Sequence, residues 1–155
     1  MTPPVRPARH GDFAAIRVLL SAAGLPTEDL DTATALRLWV ATDGPLIAGA
    51  IGLESYGTAG LLRSLIVAPS HRKHGLGSAL IEAVEREARA DGAKLLVLLT
   101  QTAEPFFGRL GYQATERGRV PAEIKRSAEF ASLCPASAVC MTKSLAPKTA
   151  AVSHG

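Results

Sequence analysis

Apolar residues recur along this chain with two different spacings, and the change of spacing divides it. Phe13, Ile16, Leu20 and Ala23 fall at helical intervals, with Asp12 before them and Gly24 behind. A helix capped by Asp12 and closed by Gly24 is therefore predicted. A turn-rich stretch, Leu25 to Asp31, follows. Three strand signals come next. Leu36–Ala41 ends at the turn Asp43-Gly44-Pro45, while Leu46–Leu53 and Leu61–Val67 flank Tyr56-Gly57-Thr58-Ala59-Gly60, which reads as a hairpin loop. The first half is thus expected to be antiparallel, with Trp39 in its core.

The second half has a different rhythm. In Leu76–Arg89 the residues Leu76, Leu80, Val84 and Ala88 form an i,i+4 row on one helix face. Glu82 with Arg86, and Glu85 with Arg89, are favourably ordered ion pairs on the other, and Gly92 is a C-terminal cap. Leu95–Thr100 is a continuous apolar run, the mark of a strand covered on both faces. A helix between two such strands makes a βαβ unit, so these strands should run parallel. Ala103–Leu110 reads as a short helix with Pro105 in its first turn, where no amide is needed, ended by Gly111. Tyr112–Glu116 and Val139–Leu145 are further strand candidates, and no internal repeat is visible.

Composition narrows the class. A chain of 155 residues suggests one domain and can bury about 70% of its unfolded surface without a staple. The domain is expected over residues 1–145, with 146–155 a disordered tail. At 47% apolar and 20% charged, the composition is that of a soluble globular protein. A net charge of +3 is too mild to argue for nucleic acid, and 5% aromatics leave few platforms for base stacking. No apolar stretch reaches the ~18 residues of a membrane helix and no leader pattern is visible, so the expected compartment is the cytoplasm. Two cysteines make no disulfide framework.

The informative segment is Leu65-Ile66-Val67-Ala68-Pro69-Ser70-His71-Arg72-Lys73-His74-Gly75-Leu76-Gly77-Ser78. A strand ends, a basic loop follows, and glycines lead into a helix start. Helix N-termini expose unpaired amides and about half a positive charge. Gly75 and Gly77 let the backbone approach a phosphate closely. A dinucleotide loop would need a third glycine where Leu80 stands, and a Walker loop would need Gly-Lys-Ser/Thr. By itself such a loop is as compatible with a plain turn as with a phosphate site. His71 and His74 suggest a metal, but no third ligand has clear spacing and loop charge explains them better.

Arg72-x-x-Gly75-x-Gly77, preceded by Leu65-x-Val67-x-Pro69, resembles the pyrophosphate loop of the GNAT N-acetyltransferases. Further on, Phe106-Phe107-Gly108-Arg109-Leu110-Gly111-Tyr112 resembles that family's second signature. The resemblance covers Val5 to Leu145. It implies an α/β fold: a splayed mixed sheet with antiparallel N-terminal strands, a parallel central pair and helices on both faces, opening between the fourth and fifth strands. It further implies acetyl-CoA, its pantetheine paired to the backbone of Leu65, Ile66 and Val67 and its pyrophosphate on the amides of Arg72, Lys73, His74, Gly75, Leu76, Gly77 and Ser78. Phe106, Phe107 and Arg109 would flank the pantetheine and thioester. A homodimer is common in the family. Gly52-Leu53-Glu54-x-Tyr56-Gly57, Leu61-Leu62-Arg63-Ser64-Leu65 and the segment Glu129 to Met141 are similar to a branch associated with bacterial arsenic-resistance operons. Related branches acetylate the α-amino group of phosphinothricin and its arsenic analogue, which implies a small amine as acceptor.

Acetyl transfer needs a deprotonated amine held near the thioester, a donor for the oxyanion and an exit for the thiolate. The resemblance assigns the oxyanion to the amide of Leu65. It aligns the usual proton-donating tyrosine with Phe107, which carries no proton. Glu54 is the candidate base, since a carboxylate after seven largely apolar residues is out of pattern; the alternative is a solvated strand end. Arg63 reads as a clamp on a substrate carboxylate or on Glu54, or else as an edge or loop salt bridge, with Ser64 beside it. Thr100 could donate to substrate, or Thr102 could cap the next helix. Cys134 and Cys140 read either as a loop thiol and a small apolar strand residue or as soft ligands for trivalent arsenic. Two other activities stay open: acetyl-CoA or arsenical binding without efficient turnover, and acetylation of protein N-termini or lysines.

Overall fold

The computed structural model describes residues 4–25, 27, 30, 36–72, 75–127, 130 and 137–145. In chain order the elements are β1 (Val5–Pro7), α1 (Phe13–Ala22), β2 (Leu36–Asp43), β3 (Leu46–Tyr56), β4 (Ala59–Val67), α2 (Leu76–Ala90), β5 (Leu95–Thr100), α3 (Glu104–Arg109), β6 (Gln113–Thr115), α4 (Ala122–Lys125) and β7 (Val139–Ser144). Short 3-10 turns occupy His10–Asp12, Pro69–His71 and Arg117–Arg119. The strands make one seven-stranded mixed sheet in the order β1-β2-β3-β4-β5-β7-β6. β1 to β3 are antiparallel neighbours, β4 and β5 are parallel, and β7 runs antiparallel to both β5 and β6. The expected mixed sheet with a parallel central pair is therefore present, and α2 is the crossover of the predicted βαβ unit.

Several local expectations need correction. β1 lies in the proline-rich start, where no strand was expected; Pro7 is tolerated because β1 is an edge strand. The loop expected over Tyr56–Gly60 is a two-residue turn at Gly57-Thr58, so β3 and β4 are longer than predicted. Asp12 does not bond the first amides of α1. Its carboxylate accepts from the Arg9 amide at 2.7 Å and from Arg6 Nη1 at 2.8 Å, which closes the preceding turn. Arg6 holds that carboxyl below the usual range.

The parallel register of β4 and β5 covers Ala59–Leu61 against Leu95–Val97, after which β4 continues to Val67. The chain forms two compact units: Met1–Glu54 with Leu62–Val84, and Ser55–Leu61 with Glu85–Gly155. In the first unit, Ile16 and Leu20 of α1 pack with Leu38 and Val40 of β2, Ala50 of β3 and Ile66 of β4. The preceding residue of β3, Gly49, points the other way, as alternate strand residues must. A Cβ there would come within 2.9 Å of the Ile66 carbonyl and 3.1 Å of Leu80 in α2. Helices α1 and α2 thus cover opposite faces of β3, and only glycine lets α2 approach this closely. The core of the second unit is Ala59, Leu61, Val97, Val120, Ile124 and Cys140. Among the described residues no helix is long and apolar enough to cross a membrane.

Candidate active site

The first unit carries the strand–loop–helix segment. Ile66 is buried in the α1-facing core, while its neighbours Leu65 and Val67 are half-buried. The Ala68 amide donates to Ala48 O at 2.8 Å, which anchors the strand end before the chain turns through Pro69–His71. Gly75 has a φ of +75°, a left-handed turn that glycine takes without strain, and α2 begins at the next residue. The first turn of α2 has amides without partners inside the helix; Ala79 N to Gly75 O, 3.1 Å, is the bond that starts its ladder. Gly77 and Ser78, in that turn, are half-buried. Arg72 is exposed and its Nε donates to Val67 O at 3.2 Å. Lys73 and His74 lie outside the described residues. His71 Nε2 sits 2.9 Å from Asp43 Oδ2, and its Nδ1 is 2.9 Å from Ser70 Oγ, so both ring nitrogens are engaged. Among the described residues no three His, Cys, Asp or Glu side chains gather as a metal site.

On the two central strands of the same unit, Glu54 and Arg63 are only 3% and 4% exposed, and Arg63 Nη1 donates to Glu54 Oε2 at 2.8 Å. Neither bland expectation holds: Glu54 is no solvated strand end, and Arg63 lies on an interior strand rather than at an edge. Two charges this deep are tolerated because they are paired, and removing one would cost the other this ion pair. Arg63 Nε also donates to Ser64 Oγ at 3.3 Å. Ser64 itself has a φ of 60°, the one non-glycine residue among the described ones in the left-handed region. A side chain there costs about 1–2 kcal/mol. The strand pattern of Leu61–Val67 carries no trace of this kink.

The second unit holds the remaining candidates. Phe106 is half-buried, Arg109 is exposed, and Phe107 is buried, its ring edge-on to Tyr112 at 5.8 Å. Phe107 is thus a core residue of the α3–β6 corner. Thr100 Oγ1 accepts the Ala103 amide at 3.1 Å, just before α3, whose first amides receive no side-chain cap, so the cap expected from Thr102 is not made. Cys140 is buried between Leu99 of β5 and Thr115 of β6, and burial pushes its thiol up despite Arg117 nearby. That environment matches the apolar reading of Cys140. Cys134 lies outside the described residues.

One polar cluster escaped the sequence reading. Glu85, expected to face solvent beside Arg89, is buried and accepts from Tyr112 Oη at 2.9 Å and from Lys143 Nζ at 3.0 Å. Lys143 also donates to Leu110 O at 2.9 Å, at the end of α3. The available signal was that Glu85 follows Ile81 and precedes Ala88 at helical spacing, on the flank of the apolar stripe. Burial, with Glu85 next in size, holds the Tyr112 phenol well above its ordinary range.

Comparison with known proteins adds an independent line. Residues 34–114 match the family model of the acetyltransferase (GNAT) domain. The amino-acid acetyltransferase of Pseudomonas fluorescens (strain Pf0-1) is 39% identical over 64 residues, covering 41% of this chain and 15% of that protein. A Mycobacterium tuberculosis protein solved in complex with CoA is 28% identical with a TM-score of 0.77, covering 92% of this chain and 99% of that one. The N-acetylglutamate synthase of Neisseria gonorrhoeae, solved with coenzyme A and N-acetyl-glutamate, has a TM-score of 0.80 at 18% identity, covering 93% of this chain and 35% of that one. The chain therefore spans a minor part of the first and third of these relatives.

Proposed function

The chain belongs to the acetyltransferase (GNAT) domain family, and from this premise we propose that it is an acetyl-CoA-dependent N-acetyltransferase acting on the amino group of a small, amino-acid-like compound. The observation that carries the reading is the segment Leu65–Ser78: a strand end, a left-handed Gly75 and the open first turn of α2. Orphan amides and the helix dipole favour an anion with the charge of a pyrophosphate. The donor set is hard and cationic, as a phosphate ester requires. The backbone of Leu65 and Val67 would pair with the pantetheine, and Arg72 would then release the Val67 carbonyl it now bonds.

Acetyl-CoA supplies the thioester carbon; the amine nitrogen bonds to that carbon and the carbon–sulfur bond breaks. The Leu65 amide is assigned the oxygen on which charge develops. Neither Phe107 nor Tyr112 serves as an acid: the first has no proton and the second is buried against Glu85. None is required, because a thiol with a pKa near 8.5 leaves readily as thiolate. The amine proton passes to water. The acceptor class is supported by the amino-acid acetyltransferase relatives.

The test is CoA thiol release from acetyl-CoA with a panel of amino acids, phosphinothricin, an amino-acid arsenical and a short peptide. Release with at least one free amino compound is the expected result. CoA binding with no release across the panel would make the protein a binder, and release with the peptide alone would make it a protein acetyltransferase.

A further inference from the structure

A left-handed serine inside an interior strand needs something to hold it there. Ser64 has a φ of 60° and its Oγ accepts from Arg63 Nε at 3.3 Å. Arg63 is in turn fixed by Glu54 at 2.8 Å, with the guanidinium side chain 0% and the carboxylate side chain 4% exposed. Such burial leaves the guanidinium no solvent face from which to grip a substrate carboxylate. The residue that follows the kink is Leu65, so the dihedral angles of Ser64 aim the Leu65 N–H. We propose that Glu54, Arg63 and Ser64 form a positioning chain: Glu54 orients Arg63, Arg63 Nε holds Ser64 left-handed, and the kink directs the Leu65 amide. Glu54 and Arg63 then act through the backbone and not as base and substrate clamp. Aiming the Leu65 amide matters to catalysis only under the acetyltransferase reading given above, but the chain itself is a conformational claim.

The natural experiment varies Arg63 in two backgrounds. Arg63→Lys keeps a cation for Glu54 and loses the Nε donor. Glu54→Leu/Arg63→Met removes both charges of the pair together, so that neither is left buried without the other if Arg63→Lys folds poorly. Each is expected to lower kcat about fivefold or more in the native background, the rate equivalent of a left-handed side chain no longer held. The loss should shrink to about twofold or less in the Ser64→Gly background, because glycine takes the left-handed region unaided. Acetyl-CoA affinity by calorimetry should move little, and the shape of the kcat–pH profile should stay the same in Glu54→Gln. Equal losses in both backgrounds would overturn the chain, and a lost acidic limb in Glu54→Gln would restore the base. A backbone-dihedral measurement on Arg63→Lys, by NMR or crystallography, needs no turnover. Ser64 should leave the left-handed region; Ser64 remaining there refutes the chain, whether or not the wild type releases CoA.

Discussion

At the scale of single residues, buried polar side chains among the described residues are paired, and each pairing has a measurable consequence. Tyr112 donates to Glu85, which also holds Lys143. A hydrogen bond to a charged acceptor contributes about 1.5–3 kcal/mol, and because Lys143 stays with Glu85 the loss in Tyr112→Phe should be near the low end. Urea denaturation at neutral pH measures it. The pH dependence has a definite sign. The folded phenol titrates above its unfolded value of 10.0, so its contribution is complete below that pH. It is lost as pH rises past it, where the unfolded chain ionises and the folded one does not. Wild type should therefore lose stability above about pH 10 more steeply than Tyr112→Phe, and the gap between them should close. Parallel curves would show that Tyr112 is not the group responsible.

At the scale of elements, two glycines of the first unit make opposite predictions. Gly77 lies in the open first turn of α2. Gly77→Asp puts a carboxylate against the proposed pyrophosphate and should weaken acetyl-CoA about tenfold or more, at least ~1.4 kcal/mol, with the melting temperature little changed. Gly49 has its missing Cβ 2.9 Å from a backbone carbonyl and 3.1 Å from Leu80. Gly49→Ala must push β4 or α2 aside and should cost about 1–3 kcal/mol of stability. Calorimetry and thermal denaturation on both variants separate binding from packing. A Gly77→Asp protein that binds normally would remove the loop from the site.

At the scale of the whole molecule, β3, β4 and α2 each run from one compact unit into the other. We propose that residues 1–145 unfold as one domain for that reason, since no unit can lose its strands alone. The aromatic residues allow a direct test. Trp39, the sole tryptophan, belongs to the first unit, and Tyr56 and Tyr112, the sole tyrosines, belong to the second. Tryptophan fluorescence and the tyrosine near-ultraviolet signal should report coincident urea midpoints. Separate midpoints would mean two folding units.

Local patterns were enough for the longer elements of the second half. The stripe Leu76–Leu80–Val84–Ala88 placed α2 to within a residue, the apolar run Leu95–Thr100 was β5 itself, and Pro105 and Gly111 bracketed α3. The start of α2 at Leu76, just after Gly75, was likewise legible, because a helix start and its glycines are contiguous. What needed the tertiary structure were the partners of charges. The sequence offered Glu54 as one of two partners for Arg63, and the structure selects it, across a hairpin whose turn is tighter than the sequence suggested. Glu85 turns inward because Tyr112 and Lys143, far along the chain, complete its hydrogen bonds. Cys140 becomes core by its register between β5 and β6. The left-handed Ser64 has no sequence mark at all, since serine is ordinary in a strand and only its contact with Arg63 distinguishes it. Periodicity reports which face a residue occupies, but the cost of burying a charge is decided by what stands opposite it, and strand register sets that.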